Sequence, residues 1–117
     1  NPQPGPFTME QISSNQIYIG VYSFEGQMGS WKSIGADVSS LLGVPVRESA
    51  VFNGTTLDMY MNEHIVNSIS VNGNIVNYPQ SLHIGYSPYH KGYFQGSLFD
   101  CILFNRPLLL SELNSLN

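Results

Sequence analysis

Apolar and polar positions alternate most clearly over Gln16–Phe24. Ile17, Ile19 and Val21 fall on one side of an extended chain, and Tyr18, Tyr22 and Phe24 on the other. Large groups on both faces predict a central strand. A second alternating stretch, Thr56–Met61, sets Leu57, Met59 and Met61 against Asp58, Tyr60 and the following Asn62. Val46–Phe52 precedes it, and Asn53-Gly54 lies between. Both residues of that pair accept positive φ, so a hairpin with a tight type I′ turn is predicted. Val66–Val71 and Asn74–Tyr78 read as short strands around Asn72-Gly73. Leu82–Gly85 and Leu98–Phe104 read as two more, flanking a loop over Tyr86–Tyr93.

The remaining segments carry weaker signals. Phe7–Asn15 fits a short strand or a loop. Glu25–Ser33, with Gly26 and Gly29, reads as a loop that places Trp31 at or near its end. Ile34–Leu42 has a helical option through Ile34, Val38, Leu41 and Leu42, with Asp37 able to cap or turn. Asn105-Arg106-Pro107 turns the chain, and Ser111-Glu112-Leu113 begins a helical turn. Residues 1–15, opening with three prolines and a glycine in six positions, form an extended lead-in. Residues 16–117 form one all-β domain with spaced turn signals, as in sandwiches and barrels.

Two groups of residues resemble the laminin-G-like modules of the concanavalin A-like lectin/glucanase superfamily. Phe94, Gly96, Leu98, Asp100, Cys101, Phe104, Asn105, Arg106, Leu108, Glu112, Leu113 and Leu116 fall in register with the closing segment of that family. Ala50–Asn62 is similar to its central hairpin. Together they cover roughly residues 50–116. The resemblance implies an antiparallel jelly-roll sandwich used mostly for binding. It departs from the family at Glu63, where a Gly is usual and a looser turn is expected. It departs again at Phe99, where the family often has a calcium-binding Asp. No calcium or other cofactor is therefore expected. Only about fifteen residues precede Gln16, where the family has further strands. The jelly roll is thus expected to be minimal, a cleavage product, or completed by another chain.

Charged residues make up only 10% of the chain, against roughly 25% in ordinary domains. The polar surface therefore rests on amides and hydroxyls, which both donate and accept hydrogen bonds and suit glycan contact. With four fixed cations and a net charge of −4, no basic cluster exists to hold a phosphate backbone, and nucleic-acid binding is not expected. No apolar run approaches a membrane span, so no membrane insertion is expected. His64, His83 and His90 are too scattered for a zinc signature. The eight acidic residues show no paired-carboxylate motif, so no enzyme is expected. Cys101, the single cysteine, reads as a small buried hydrophobe.

Sugars stack on aromatic rings while amides and hydroxyls read their edges. Tyr86, Tyr89, His90 and Tyr93 crowd one loop between two predicted strands. Tyr89 and His90 are expected to be exposed, whereas Tyr93, next to Phe94, also suits a structural role. Trp31 is the second candidate for sugar contact, or else a core residue. The expected function is non-catalytic recognition of a glycan or glycoprotein at an extracellular, cell or virion surface. The alternative is a structural or oligomerisation module of a virion, a fibre or a multidomain hydrolase. Another chain or a further copy is expected at a sheet edge. Asn53-Gly54-Thr55 is also a glycosylation sequon, expected at an exposed hairpin tip.

Overall fold

The computed structural model describes residues 6–11, 13, 15–25, 28–75, 82–87 and 91–116. Nine strands and one short helix are formed among them. They are β1 (Phe7–Gln11), β2 (Gln16–Glu25), β3 (Met28–Asp37), β4 (Glu48–Phe52), β5 (Thr56–Met61), β6 (His64–Ser70), β7 (Asn74–Ile75), β8 (Tyr86–Ser87), β9 (Gly92–Tyr93) and α1 (Leu110–Asn114). All pairings are antiparallel. The first sheet runs β1-β2-β3, with β7 added beside β2 where β1 ends. The second runs β4-β5-β6, and β8 and β9 form a small separate hairpin. The chain therefore builds one sheet, crosses to the other, and returns through β7. The fold is an all-β antiparallel sandwich.

Strand alternation explains the core. Ile17, Ile19, Val21 and Ser23 of β2 share a face with Ile34 of β3 and are buried. Leu57, Met59 and Met61 of β5 face them and are buried too. Val38 and Val71 close the same cluster. The side of the sandwich formed by β3 and β6 is closed, since these strands pack together and Asn67 Nδ2 donates to the Gly35 carbonyl at 2.8 Å. The side formed by β1 and β4 is open. Phe7 and Met9 lie opposite Val21 and Ile19, on the core-facing side of β1, yet both are exposed. Ala50, opposite buried Met59, is exposed as well.

Several expectations are corrected. Glu25–Ser33 is no loop. Its residues from Met28 onward form β3, paired along the whole length of β2, and Trp31 sits in mid-strand opposite Tyr22. Ile34–Leu42 is not helical. It continues β3 to Asp37 and ends in one 3-10 turn, Ser39–Leu41. At that turn the Asp37 carboxylate accepts the Ser39 N–H at 2.8 Å. Asn53-Gly54 forms no type I′ turn. Only Gly54 takes positive φ, while Asn53 Oδ1 accepts the Thr55 and Thr56 N–H groups at 3.0 and 2.8 Å. The tip is exposed as expected. The following turn is tight rather than loose, because Asn62 instead of Glu63 takes the left-handed conformation, which Asn tolerates.

The last expected strands differ most. Leu82–Gly85 and Leu98–Phe104 form no strand, and their large apolar residues are exposed. Cys101 is consequently exposed rather than buried. Strand identity requires a pairing partner as well as a pattern: among the described residues Leu98–Phe104 has none, and Leu82–Gly85 has only the bond from the Phe94 N–H to the Gly85 carbonyl. The expected strand over Asn74–Tyr78 is formed at Asn74–Ile75, and the rest of it lies outside the described residues.

Candidate functional site: an aromatic face on the first sheet

The outer face of the first sheet carries a row of rings. Residues 18, 20, 22 and 24 of β2 point away from the core and meet residues 35, 33, 31 and 29 of β3 in register. The face therefore presents Tyr18, Tyr22, Phe24 and Trp31 alternating with Gly20, Gly29 and Gly35. Each of the three glycines lies under a ring. A methyl group at Gly35 would overlap the Tyr18 ring, one at Gly29 the Tyr22 ring, and one at Gly20 the indole of Trp31. The missing side chains let the rings lie across the neighbouring strand, an arrangement that restores packing to glycine-bearing strands. Tyr22 meets Phe24 edge-on at 6.1 Å and Trp31 in a tilted pair at 6.5 Å, within the range of favourable aromatic pairs.

Polar groups border this row. Thr8 and Glu10 of β1 lie opposite Gly20 and Tyr18 on the same face, and the Thr8 hydroxyl donates to Glu10 Oε1 at 2.9 Å. Ser33 and Asp37 extend the border on β3, and both are exposed. Asp37 is held below the usual carboxylate range by the Ser39 hydroxyl and backbone N–H, so it stays ionised. Tyr18 and Phe24 are exposed, while Tyr22 and Trp31 are half-buried by the contacts just described. The result is a shallow strip with apolar rings at its centre and hydroxyl and carboxylate groups at its margin.

The expected loop site is only partly visible. Tyr86 and Tyr93 face each other across β8 and β9 with ring centroids 4.6 Å apart, and His83 meets Tyr86 edge-on at 6.3 Å. Tyr93 is 79% exposed while resting against Tyr86. Tyr89 and His90 lie outside the described residues. Trp31 belongs to the sheet face and not to a loop. Alternation alone marks Tyr18, Tyr22 and Phe24 as strand residues and assigns them no binding role. The signal that marks them is the matching of aromatic positions on β2 by glycines on β3. It becomes readable only once Met28–Asp37 is seen as a strand.

Among the described residues no group of three or more His, Cys, Asp or Glu side chains is placed to hold a metal ion. Asp58 is half-buried and accepts the Ser68 hydroxyl across β5 and β6 at 2.5 Å.

No family model matches the chain, and no curated protein matches its sequence. The fold is similar to the crystal structure of an S-layer domain-containing protein (residues 221–444) from Clostridium thermocellum, with a TM-score of 0.59. The two chains are 20% identical over 97% of this chain and 62% of the other. This likeness is one of fold. The chain spans less than two thirds of that structure's length. No helix among the described residues is long and apolar enough to cross a membrane.

Proposed function

We propose that this domain is a non-catalytic recognition module that binds an extended glycan along the outer face of β2 and β3. The observation that carries the reading is the array of Tyr18, Tyr22, Phe24 and Trp31, seated over glycines and bordered by Thr8, Glu10, Ser33 and Asp37. A row of rings offers apolar contact to the C–H faces of successive sugar units, and the bordering groups match their hydroxyls. The strip is shallow, which suits a polymer lying across it better than a small molecule that needs enclosure. Attachment at a cell surface is consistent with the name of the structurally similar S-layer domain-containing protein. That consistency is supporting only, since the likeness concerns fold.

Trp31 is the sole tryptophan, so its emission reports this face directly. Titration with soluble polysaccharides is expected to shift that emission. Trp31→Phe removes the reporter but keeps a ring, so binding should persist in calorimetry. Tyr18→Ala should weaken binding about tenfold, the equivalent of one stacking contact of ~1.4 kcal/mol. Perturbations confined to Tyr86 and Tyr93 would move the site to the β8–β9 hairpin. Absence of binding across a broad glycan panel would leave the alternative, a structural module.

A further inference from the structure

We infer that Leu98–Phe104 is a donor strand that fills the open side of a second copy of this chain, adding to the free edge of β4 and covering the inner face of β1. The inference is independent of the glycan reading and starts from two unmet needs in one molecule. The first is a vacant place in the second sheet. The sandwich is sealed where β3 meets β6. On the opposite side β4 pairs, among the described residues, only with β5. On this side Phe7 and Met9 of β1 and Ala50 of β4 itself sit on core-facing positions but are exposed. A strand laid along β4 would extend the second sheet over β1 and bury all three.

The second need is a strand without a place. Leu98–Phe104 has the length and composition of a strand but pairs with nothing among the described residues. Its alternation separates Phe99, Cys101 and Leu103 from Leu98, Asp100, Ile102 and Phe104. The first set is wholly apolar and suits the core side. The second contains the one charge and suits the outside. Phe99 and Leu103 are 81% and 66% exposed, far above what core-type residues show. The β4 edge itself, Glu48–Phe52, contains no Lys, Pro or bulge, and its one inward-pointing charge, Glu48, lies at its start. The β6 edge, by contrast, pairs with β5 through a register shift.

A second copy is the occupant because each copy offers one vacancy and one donor. A twofold exchange satisfies both at once and closes the assembly. Of the donor's large apolar side chains, Phe99 and Leu103 face the core and would meet Phe7, Met9 and Ala50; the exchange buries this set twice, together with the backbone of two added strand pairings.

Light scattering on the full chain tests the mass, and directed crosslinking tests the arrangement. The expected particle has twice the 13.0 kDa chain mass. The double variant Phe99→Asp, Leu103→Asp places charges at positions that face solvent in a lone chain, so it should be a folded monomer. Ala50→Cys adds one thiol on β4 to the native Cys101. Oxidation with copper phenanthroline should link residue 50 of one chain to residue 101 of another, giving a covalent dimer confirmed by peptide mapping. Val66→Cys on β6 should give no link to residue 101. A strictly monomeric wild type, a 50–101 link within one chain, or linkage at residue 66 in place of residue 50 would each overturn the inference.

Discussion

At the scale of single residues, two buried polar groups have measurable costs. Glu48 opens β4 opposite Met61, so its carboxyl lies on the inner face, half-buried, with Oε1 shielded and without a hydrogen-bond partner. Burial pushes its pKa up from 4.5 to about 7. A carboxyl that binds its proton more tightly in the folded state favours folding while protonated. The contribution of Glu48 to stability should therefore be greatest below about pH 4.5, fall between there and about pH 7, and level off above. The fall should be at most about 3 kcal/mol. Glu48→Gln should flatten this dependence in urea titrations run from pH 4 to pH 8, and should be the more stable protein at pH 8. Persistence of the slope in that variant would place its origin elsewhere. Ser23 is completely buried on β2 with an unpaired hydroxyl. Ser23→Ala removes that cost without changing the strand and should raise stability by about 1 kcal/mol. Gly35→Ala acts in the opposite sense. Its methyl must displace the Tyr18 ring, so a loss of about 1–3 kcal/mol is expected, together with a changed Tyr18 environment in NMR.

At the scale of elements, what was legible in the sequence depended on whether an element's own residues fix its partner. Residues 16–24 and 56–61 could be placed because strict alternation of Ile, Val, Leu and Met defines both strand and face. β3 was hidden because Gly29, Ser30, Ser33 and Gly35 resemble a loop. Its stability comes from rings donated by β2, which local propensity does not register. Leu98–Phe104 failed in the other direction. Its pattern is strand-like, but pairing is non-local and no partner is supplied within the described fold. The closing helical turn was legible, and its geometry shows why. Arg106 forms a two-bond fork with Glu112, at 2.9 and 2.5 Å, while Glu112 Oε1 also accepts the Leu109 N–H at 3.0 Å. Leu113 is buried beneath the turn, and Arg47 donates to the Leu116 carbonyl. Five residues do not form a stable helix alone, so α1 depends on these ties. The hydrogen bonds from Arg106 and Leu109 hold the Glu112 pKa down at about 2. The brace is therefore complete above about pH 4.5 and is lost as pH falls toward 2. Arg106→Ala should speed amide exchange over Leu110–Asn114 selectively at neutral pH. Leu113→Ala should cost about 2–4 kcal/mol globally.

At the scale of the whole molecule, the scarcity of charge is the property that unites fold and proposed function. Four fixed cations against eight acids leave a net charge of −4. The chain therefore repels anions weakly and has no focused field to attract them. The candidate strip follows the same rule. Its centre is rings, and its border is hydroxyls with the carboxylates of Glu10 and Asp37. Binding there would rest on contact and short hydrogen bonds rather than on long-range attraction. Screening removes interactions beyond about 3 Å at molar salt but leaves stacking intact. Affinity for a neutral polysaccharide should therefore change less than about twofold between low and molar salt, a shift below ~0.4 kcal/mol. A sulfated or uronate-rich polymer should bind less well at low salt, because Glu10 and Asp37 repel it, and should gain as salt is raised. Paired calorimetric titrations with one neutral and one anionic polymer decide the matter. An affinity that is strongest for the anionic polymer and collapses with salt would contradict stacking on the aromatic face and would direct attention to Lys91 beside the β8–β9 hairpin.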